Sequence, residues 1–145
     1  MAKPTKETHQ GRPHAFTWGL ENEKSARDAY QKVESHKHHK LSLLSKGLLI
    51  SKKKKFLCAS LDNIQTCQCS SNCANVVVEY KCPWKHKDLH PKQAFLTQEI
   101  GGLEKNNRFL LAPSSPYYYQ IQTQMFVAEL CCVNQSRYLH LASQL

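Results

Sequence analysis

The segment Val76–Lys81 constrains the fold of this chain most, because it begins with three consecutive valines and is ended by Pro83. A β-branched run that a proline terminates predicts a buried strand. Side chains alternate along a strand, so Glu79 and Lys81 would project from one face and Tyr80 from the other. Charged groups are costly to bury among apolar neighbours, so this pair indicates chemistry. The alternative is a solvated edge strand whose Glu–Lys pair contributes little.

Asp62 is an acidic residue that would complete a metal site with Glu79. It follows the run 56–61, which places it at a strand end or in the turn beyond. Phosphodiester hydrolysis uses a divalent cation held by oxygen ligands, because the phosphate must be polarised and a water activated. Asp62, Glu79 and the Tyr80 carbonyl oxygen are the ligands that we expect for Mg²⁺ or Mn²⁺. Lys81 would then lie close to the attacking water.

The composition indicates one basic, folded domain with a polyanionic partner. Lysine and arginine outnumber the acids 20 to 11 over 145 residues, which gives a formal charge of +9. Nucleic acid is the first expected partner and an anionic membrane surface the second. No apolar run approaches the ~20 residues of a membrane span, and residues 1–12 lack an apolar signal core. Seven cysteines, an odd number, indicate reduced thiols, so we expect the cytoplasm or the nucleus and not secretion.

The order of the predicted elements indicates a mixed α/β domain. Apolar residues recur at helical spacing between Phe16 and Ser35, with Leu20, Ala26 and Val33 among them. The elements expected after this helix are strands at 43–51 and 56–60 joined by a turn at 52–55, a loop at 63–75, the strand 76–81, a short helix at 91–97, a break at 101–102, a short strand at 108–112, and a helix from Ser115 to about Leu130.

Four segments together resemble the YqaJ-type viral recombinase family, which is similar to phage lambda exonuclease within the restriction-endonuclease-like, or PD-(D/E)xK, superfamily. They are residues 18–23 (WGLENE), 58–62 (CASLD), 78–84 (VEYKCPW) and 117–125 (YYYQIQTQM). Each motif is weak by itself, but four in the family's order are specific. The resemblance spans roughly residues 16–130. It implies a restriction-endonuclease-like core, a mixed central sheet flanked by helices.

The resemblance also implies roles for single residues. Asp62 and Glu79 would ligate the metal, Lys81 would be catalytic, and Glu23 on the first helix would face the same cavity. Gln120 would project toward the site from the later helix, where ordinary solvation of a helix surface is the alternative. The implied function is a Mg²⁺-dependent deoxyribonuclease, a 5′–3′ exonuclease acting on duplex ends. Related enzymes form rings around DNA, so self-association is compatible with the resemblance.

The chain departs from the family pattern in two regions. Leu61 and Asn63 stand where the family has Pro and Gly, and the aromatic-rich strand expected after the glutamine helix is replaced by a divergent tail at 131–145. We therefore expect a flexible polar lead-in at 1–15, a nuclease domain at 16–130, and a domain truncated at its C-terminus with an unpaired sheet edge. One alternative function is a catalytically inactive DNA-binding remnant of a mobile element.

Lysines and cysteines outside these motifs suggest further contacts. Cys67, Cys69 and Cys73 offer three zinc ligands, with the fourth expected from Cys82, His86 or a distant group. The alternative to a zinc site is a loop of free thiols. If zinc is bound, a small zinc-stabilised interaction module is a third candidate for the function of the chain, after the nuclease and the inactive remnant. The histidines at 36, 38 and 39 show no metal-ligand spacing. The lysines expected to contact DNA phosphates are Lys52, Lys53, Lys54, Lys55, Lys85 and Lys87.

Overall fold

The computed structural model describes residues 14–69 and 73–130, and the backbone of residues 139–141. The described helices are α1 (His14–Ser35), α2 (Pro91–Phe95) and α3 (Pro116–Val127), with a 3₁₀ turn at Trp84–His86. The described strands are β1 (Ser42–Leu44), β2 (Gly47–Ile50), β3 (Cys58–Leu61), β4 (Asn63–Thr66), β5 (Val76–Lys81), β6 (Gly102–Lys105), β7 (Arg108–Leu111) and β8 (Leu139–Leu141). The predicted mixed α/β class is confirmed.

The main sheet has the strand order β1-β4-β5-β8. Its β1–β4 and β4–β5 pairs are antiparallel, whereas β5 and β8 run parallel. Two antiparallel hairpins, β2–β3 and β6–β7, lie outside this sheet. The lysines at 52–55 form the turn of the β2–β3 hairpin, as predicted, and the Ser51 N–H closes it on the Leu57 carbonyl at 2.9 Å.

Strand β5 is buried on both faces because α1 and α3 cover opposite sides of it. Tyr80 meets Tyr30 of α1 edge-on, with ring centroids 6.2 Å apart. The neighbouring Glu79 contacts the side chains of α3. The core around β5 includes Ala26 of α1 and Ile121 and Met125 of α3. The predicted central strand is therefore confirmed, and its alternation assigns one face to each helix.

Two predicted elements are wrong because buried polar residues and one glycine override the local pattern. The expected loop at 63–75 begins with β4, whose Gln65 is 1% exposed and accepts a hydrogen bond from the Tyr30 hydroxyl. The strand expected at 43–51 divides before Gly47, which has a φ of +59°. Its first part joins the main sheet and its second part pairs with β3. Left-handed backbone of this kind favours glycine.

The start of α3 is as predicted, whereas its end and the buried face of α1 differ from the prediction. Ser115 caps α3, because its Oγ accepts from the Tyr117 N–H at 3.2 Å, and the helix ends at Val127 rather than Leu130. Leu20 and Val33 of α1 are each 50% exposed, so their expected place in the apolar stripe is wrong. The helical stripe toward the core consists of Ala26 and Tyr30, with the polar Glu34 one turn further on.

The C-terminal segment corrects the expected unpaired sheet edge. Leu139–Leu141 pairs in parallel with Glu79–Lys81, so the edge of β5 is covered at these positions. Residues 1–13, where the flexible lead-in was predicted, lie outside the described residues, and α1 already begins at His14. No helix within the described ranges has the length and apolar character needed to cross a membrane.

Candidate active site

Glu79 and Lys81 form an ion pair at the end of β5. The Lys81 Nζ donates to the Glu79 Oε1 at 2.6 Å, which confirms that both side chains project from one face of the strand. Glu79 is only 4% exposed, whereas the Lys81 side chain retains 22% exposure. The Glu79 carboxylate is thus buried, whereas the Lys81 amine is partly exposed to solvent. The alternative of a solvated edge pair is wrong.

Helix α3 supplies two more donors to the buried carboxylate. Gln120 Nε2 donates to Glu79 Oε1 at 2.7 Å, and Gln124 Nε2 donates to Glu79 Oε2 at 2.8 Å. Gln124 also reaches the Ser60 carbonyl at 2.8 Å and thereby ties β3 to the site. Residues four apart on a helix share a face, which is why both amides meet one acid. Such hydrogen bonds make a buried carboxylate tolerable.

Gln124 was missed by the sequence prediction, although a signal for it existed. It lies one turn after Gln120 and between Ile121 and Met125, both of which are buried. A glutamine surrounded by core positions needs internal partners. Its own exposure is 1%. The sequence gives no indication that those partners are Glu79 and Ser60, since they lie 45 and 64 residues away.

We expect the Gln124→Leu variant to be less stable by about 2–3 kcal/mol, because both a buried carboxylate oxygen and a buried carbonyl would lose their donor. Urea unfolding followed by circular dichroism measures the loss. Gln122→Leu is the matched control on the same helix, since the Gln122 side chain is half-buried and forms no hydrogen bond within the described ranges. Equal effects in the two variants would contradict this account of Gln124.

Asp62 lies in the bend between β3 and β4 and approaches β5 from the side. Its Oδ2 accepts a hydrogen bond from the Tyr80 N–H at 2.8 Å. Burial raises the pKa of Asp62 to about 6, against the lowering effect of that N–H. The charges of Glu79 and Glu23 raise the pKa further and that of Lys81 lowers it. The four charged residues predicted for the site therefore share one electrostatic environment.

The departures from the family pattern leave Asp62 in place. Leu61, at the position of the family proline, is 2% exposed and belongs to the core. Asn63 begins β4 opposite Val78 and does not adopt a positive φ, so no left-handed glycine conformation is required there. Leu61 packs in the core just before the bend, and the Tyr80 N–H donates to Asp62 itself, so these two contacts fix the bend.

The Tyr80 side chain projects from the face of β5 opposite to Glu79 and Lys81, as predicted, and the charges of Asp62 and Glu23 act on its hydroxyl. Its ring packs on α1, and burial raises the pKa of its hydroxyl. The metal ligand predicted from Tyr80 is its backbone carbonyl oxygen and not its side chain.

The predicted DNA-contacting lysines lie at two places in the fold. Those at 52–55 are exposed in the β2–β3 turn, where Lys52 Nζ approaches Glu129 Oε2 at 3.4 Å. Lys85 and Lys87 follow β5, in and just after the 3₁₀ turn, and approach Glu99 at 3.5 Å and Asp88 at 2.9 Å. Exposed ion pairs of this kind are weak and can be exchanged for phosphate contacts. DNA binding by these lysines stays a prediction.

The three predicted zinc-ligand cysteines converge, and their fourth neighbour is His38. The ligand atoms of Cys67, Cys69, Cys73 and His38 all lie within 4.8 Å of one another. Of the three expected sources of a fourth ligand, Cys82 and His86 are not in this group, and the distant group is the one that the structure supplies, as His38. The absence of metal-ligand spacing around His38 was misleading, because the fold brings this residue beside thiols about 30 residues away.

Hydrogen bonds polarise these thiols. The Cys73 thiol and the Cys69 backbone N–H lower the pKa of Cys67 to about 7. The same Cys67–Cys73 hydrogen bond, 3.1 Å long, raises the pKa of Cys73 to about 11. One sulfur of the group thus carries thiolate character at neutral pH, which is the form that binds metals.

The fold and the first site define a class: a basic mixed α/β domain in which two carboxylates and a lysine meet at the end of a central strand. The chain belongs to the YqaJ-like viral recombinase domain family, whose family model matches residues 1–131. The resemblance carried by the four motifs is therefore confirmed. Comparison with curated proteins and with solved structures gives no match. Membership of this family supports a nuclease function in recombination, with DNA as the substrate.

Proposed function

We propose that this protein is a metal-dependent exonuclease with a restriction-endonuclease-like core, which hydrolyses duplex DNA from its ends in the 5′–3′ direction. The observation that carries the proposal is the meeting of Asp62, Glu79 and Lys81 at one end of β5. Membership of the recombinase family makes DNA the substrate, and the formal charge of +9 favours its capture.

The site residues fit a divalent cation. Three carboxylates, Glu23, Asp62 and Glu79, act on one another near a single ammonium group, and their mutual repulsion contributes to the raised pKa of Asp62. A cation would relieve this repulsion, and carboxylate and carbonyl oxygens are the donors that Mg²⁺ and Mn²⁺ prefer. Asp62, Glu79 and the Tyr80 carbonyl would hold it. When bound, it would polarise the scissile phosphate and stabilise the leaving oxygen.

Side chains of the protein would position the water, the phosphate and the DNA. Lys81 would direct a water at the phosphorus and stabilise the charge that develops there, because its Nζ is held by Glu79 and lies 5.0 Å from the centre of the Tyr117 ring. Gln120 would act through Glu79 by fixing the orientation of its carboxylate. Glu23 would help to place the water or Lys81. The lysines at 52–55, 85 and 87 would receive the DNA backbone.

The test is degradation of linear duplex DNA labelled at either 5′ or 3′ ends, in Mg²⁺, Mn²⁺ or Ca²⁺. We expect early release of the 5′ label in Mg²⁺ and Mn²⁺, no release in Ca²⁺, and no attack on a covalently closed circle. Cleavage of the circle would indicate an endonuclease. Binding of DNA without cleavage in either Mg²⁺ or Mn²⁺ would overturn the proposal in favour of the inactive remnant.

A further inference from the structure

A second group of metal-ligand side chains lies outside the carboxylate site, at the other end of β4. Its members come from three places in the chain: His38 just after α1, Cys67 and Cys69 after β4, and Cys73 before β5. From this convergence we infer that His38, Cys67, Cys69 and Cys73 bind one structural Zn²⁺ ion. The inference is independent of the proposed nuclease activity.

The spacing of the ligand atoms suits tetrahedral zinc. Cys67 Sγ lies 3.1 Å from Cys73 Sγ, and the His38 Nδ1 lies 3.3 Å from Cys73 Sγ and 3.6 Å from Cys69 Sγ. Zn–S bonds of ~2.3 Å and Zn–N bonds of ~2.0 Å place the ligand atoms of a tetrahedron roughly 3.5–3.8 Å apart. These three separations differ from the tetrahedral spacing by at most about 0.7 Å, and no two ligand atoms of the group are more than 4.8 Å apart. Three thiols and one imidazole form a closed set, typical of structural zinc.

The surroundings of His38 supply a second, independent observation. Its ring is nearly buried, with the side chain 7% exposed, and its Nε2 lies 3.4 Å from Glu34 Oε2 and 3.3 Å from Gln65 Nε2. Glu34 Oε2 is buried and accepts no hydrogen bond from the residues that the structure describes. The tautomer with hydrogen on Nε2 would supply this donor once the ring turns from the Gln65 amide toward the carboxylate, and it would present the Nδ1 lone pair to the sulfurs. A carboxylate on the far nitrogen is the usual support of a zinc-bound histidine. Glu34 is itself held by Lys37, whose Nζ lies 2.7 Å from Oε1.

The thiols also have the backbone contacts expected of metal-bound sulfur. The His39 N–H donates to Cys69 Sγ at 3.1 Å, and the Cys69 N–H donates toward Cys67. Such N–H donors stabilise negative charge on sulfur. A disulfide between Cys67 and Cys73 is the rival account of their proximity, but it assigns no role to the buried His38–Glu34 pair. Zinc accounts for all four ligand side chains.

The position of the group gives the ion a structural role. Zinc there would fasten the end of α1 to the end of β4 and the start of β5. Strand β4 starts directly after Asp62, and β5 carries Glu79. The ion would therefore fix the strands that present the two carboxylates, without touching the carboxylates themselves.

The experiment measures zinc in the full chain purified under reducing conditions. We expect about one zinc per chain by mass spectrometry of the metal, and Co²⁺ substitution should give the visible absorption of a tetrahedral thiolate site. Cys69→Ser should lose the zinc, whereas Cys58→Ser, which removes an exposed thiol outside the group, should keep it. His38→Asn should weaken Co²⁺ binding and alter its spectrum.

Two results would overturn the inference: a reduced chain that takes up no zinc or cobalt, or a native chain whose Cys67 and Cys73 are joined as a disulfide. The wild-type metal content decides the matter even where a variant fails to fold. Lys81→Ala should retain its zinc, so loss of cleavage and loss of zinc can be told apart. Likewise, a zinc-loaded wild-type chain that does not cut DNA would reject only the nuclease proposal.

Discussion

Lys81→Ala should reduce cleavage of duplex DNA by about 10³-fold, within the range seen when one group that stabilises transition-state charge is removed. The expected loss is large because the Lys81 Nζ reaches Glu79 at 2.6 Å and retains partial exposure toward the solvent, where a phosphate would approach. Single-turnover cleavage of labelled duplex in Mg²⁺ measures the rate, and fluorescence anisotropy measures DNA binding. Binding should change by less than about threefold, since only one phosphate contact would be lost.

Two further variants make this prediction specific. Lys32→Ala removes an exposed lysine in the last turn of α1 and should leave the rate unchanged. Lys81→Gln keeps a donor for the buried Glu79 and so guards against misfolding, yet it lacks the charge and should be as inactive as the alanine variant. A Lys81→Gln protein that cuts DNA within tenfold of the wild-type rate would show that the ammonium group is not catalytic.

Asp62→Asn should abolish cleavage and, above pH 6, make the metal-free protein more stable. The carboxyl pKa is raised from 3.8 to about 6 in the folded protein. A folded chain that binds protons more tightly than the unfolded chain loses stability as the pH rises from about 4 to about 6. Asparagine carries no charge, so the variant avoids this loss. Its amide oxygen can still accept from the Tyr80 N–H.

The size of the gain is limited by the partial exposure of Asp62. Solvent screening reduces the full effect of the pKa shift to about 1 kcal/mol, which corresponds to about 3 °C in Tm. Thermal unfolding between pH 4 and pH 8 in EDTA measures it: the difference between variant and wild type should be small at pH 4 and reach its plateau above pH 6. Asp28→Asn, at an exposed acid of α1, is the control and should show no such rise.

Added Mg²⁺ should stabilise the wild type more than Asp62→Asn, which is the reverse of the difference expected without metal. At pH 8 it should raise the Tm of the wild type and leave that of Asp62→Asn unchanged, because binding to the folded state alone stabilises it. At pH 5 the wild-type response should weaken as Asp62 becomes protonated. Equal responses of both proteins at pH 8 would contradict metal ligation by Asp62.

The parts of the fold that could be predicted are those whose cause is local. The valine run and Pro83 define β5, the cap at Ser115 defines the start of α3, and alternation places Glu79 beside Lys81. Each of these follows from residues within a few positions of one another. The carboxylate–lysine part of the site was accessible for the same reason, helped by the family motifs.

The missed features depend on partners far apart in the sequence. Strand β4 contains polar residues typical of a loop, and it is buried because Gln65 meets Tyr30 from 35 residues away. His38 reaches Cys73 across 35 residues, and Gln124 reaches Ser60 across 64. A local pattern carries no information about such pairings. Polar side chains that are buried by partners far along the chain are therefore one kind of feature that the sequence prediction missed.

The three donors on Glu79 limit what this carboxylate can still do. A carboxylate offers about four lone-pair positions, and Lys81, Gln120 and Gln124 occupy three of them. About one position is thus left for any further partner, so Glu79 is suited to a monodentate contact and not to chelation through both oxygens. Because its orientation is already set by folding, the arrival of substrate need not spend free energy on ordering this side chain.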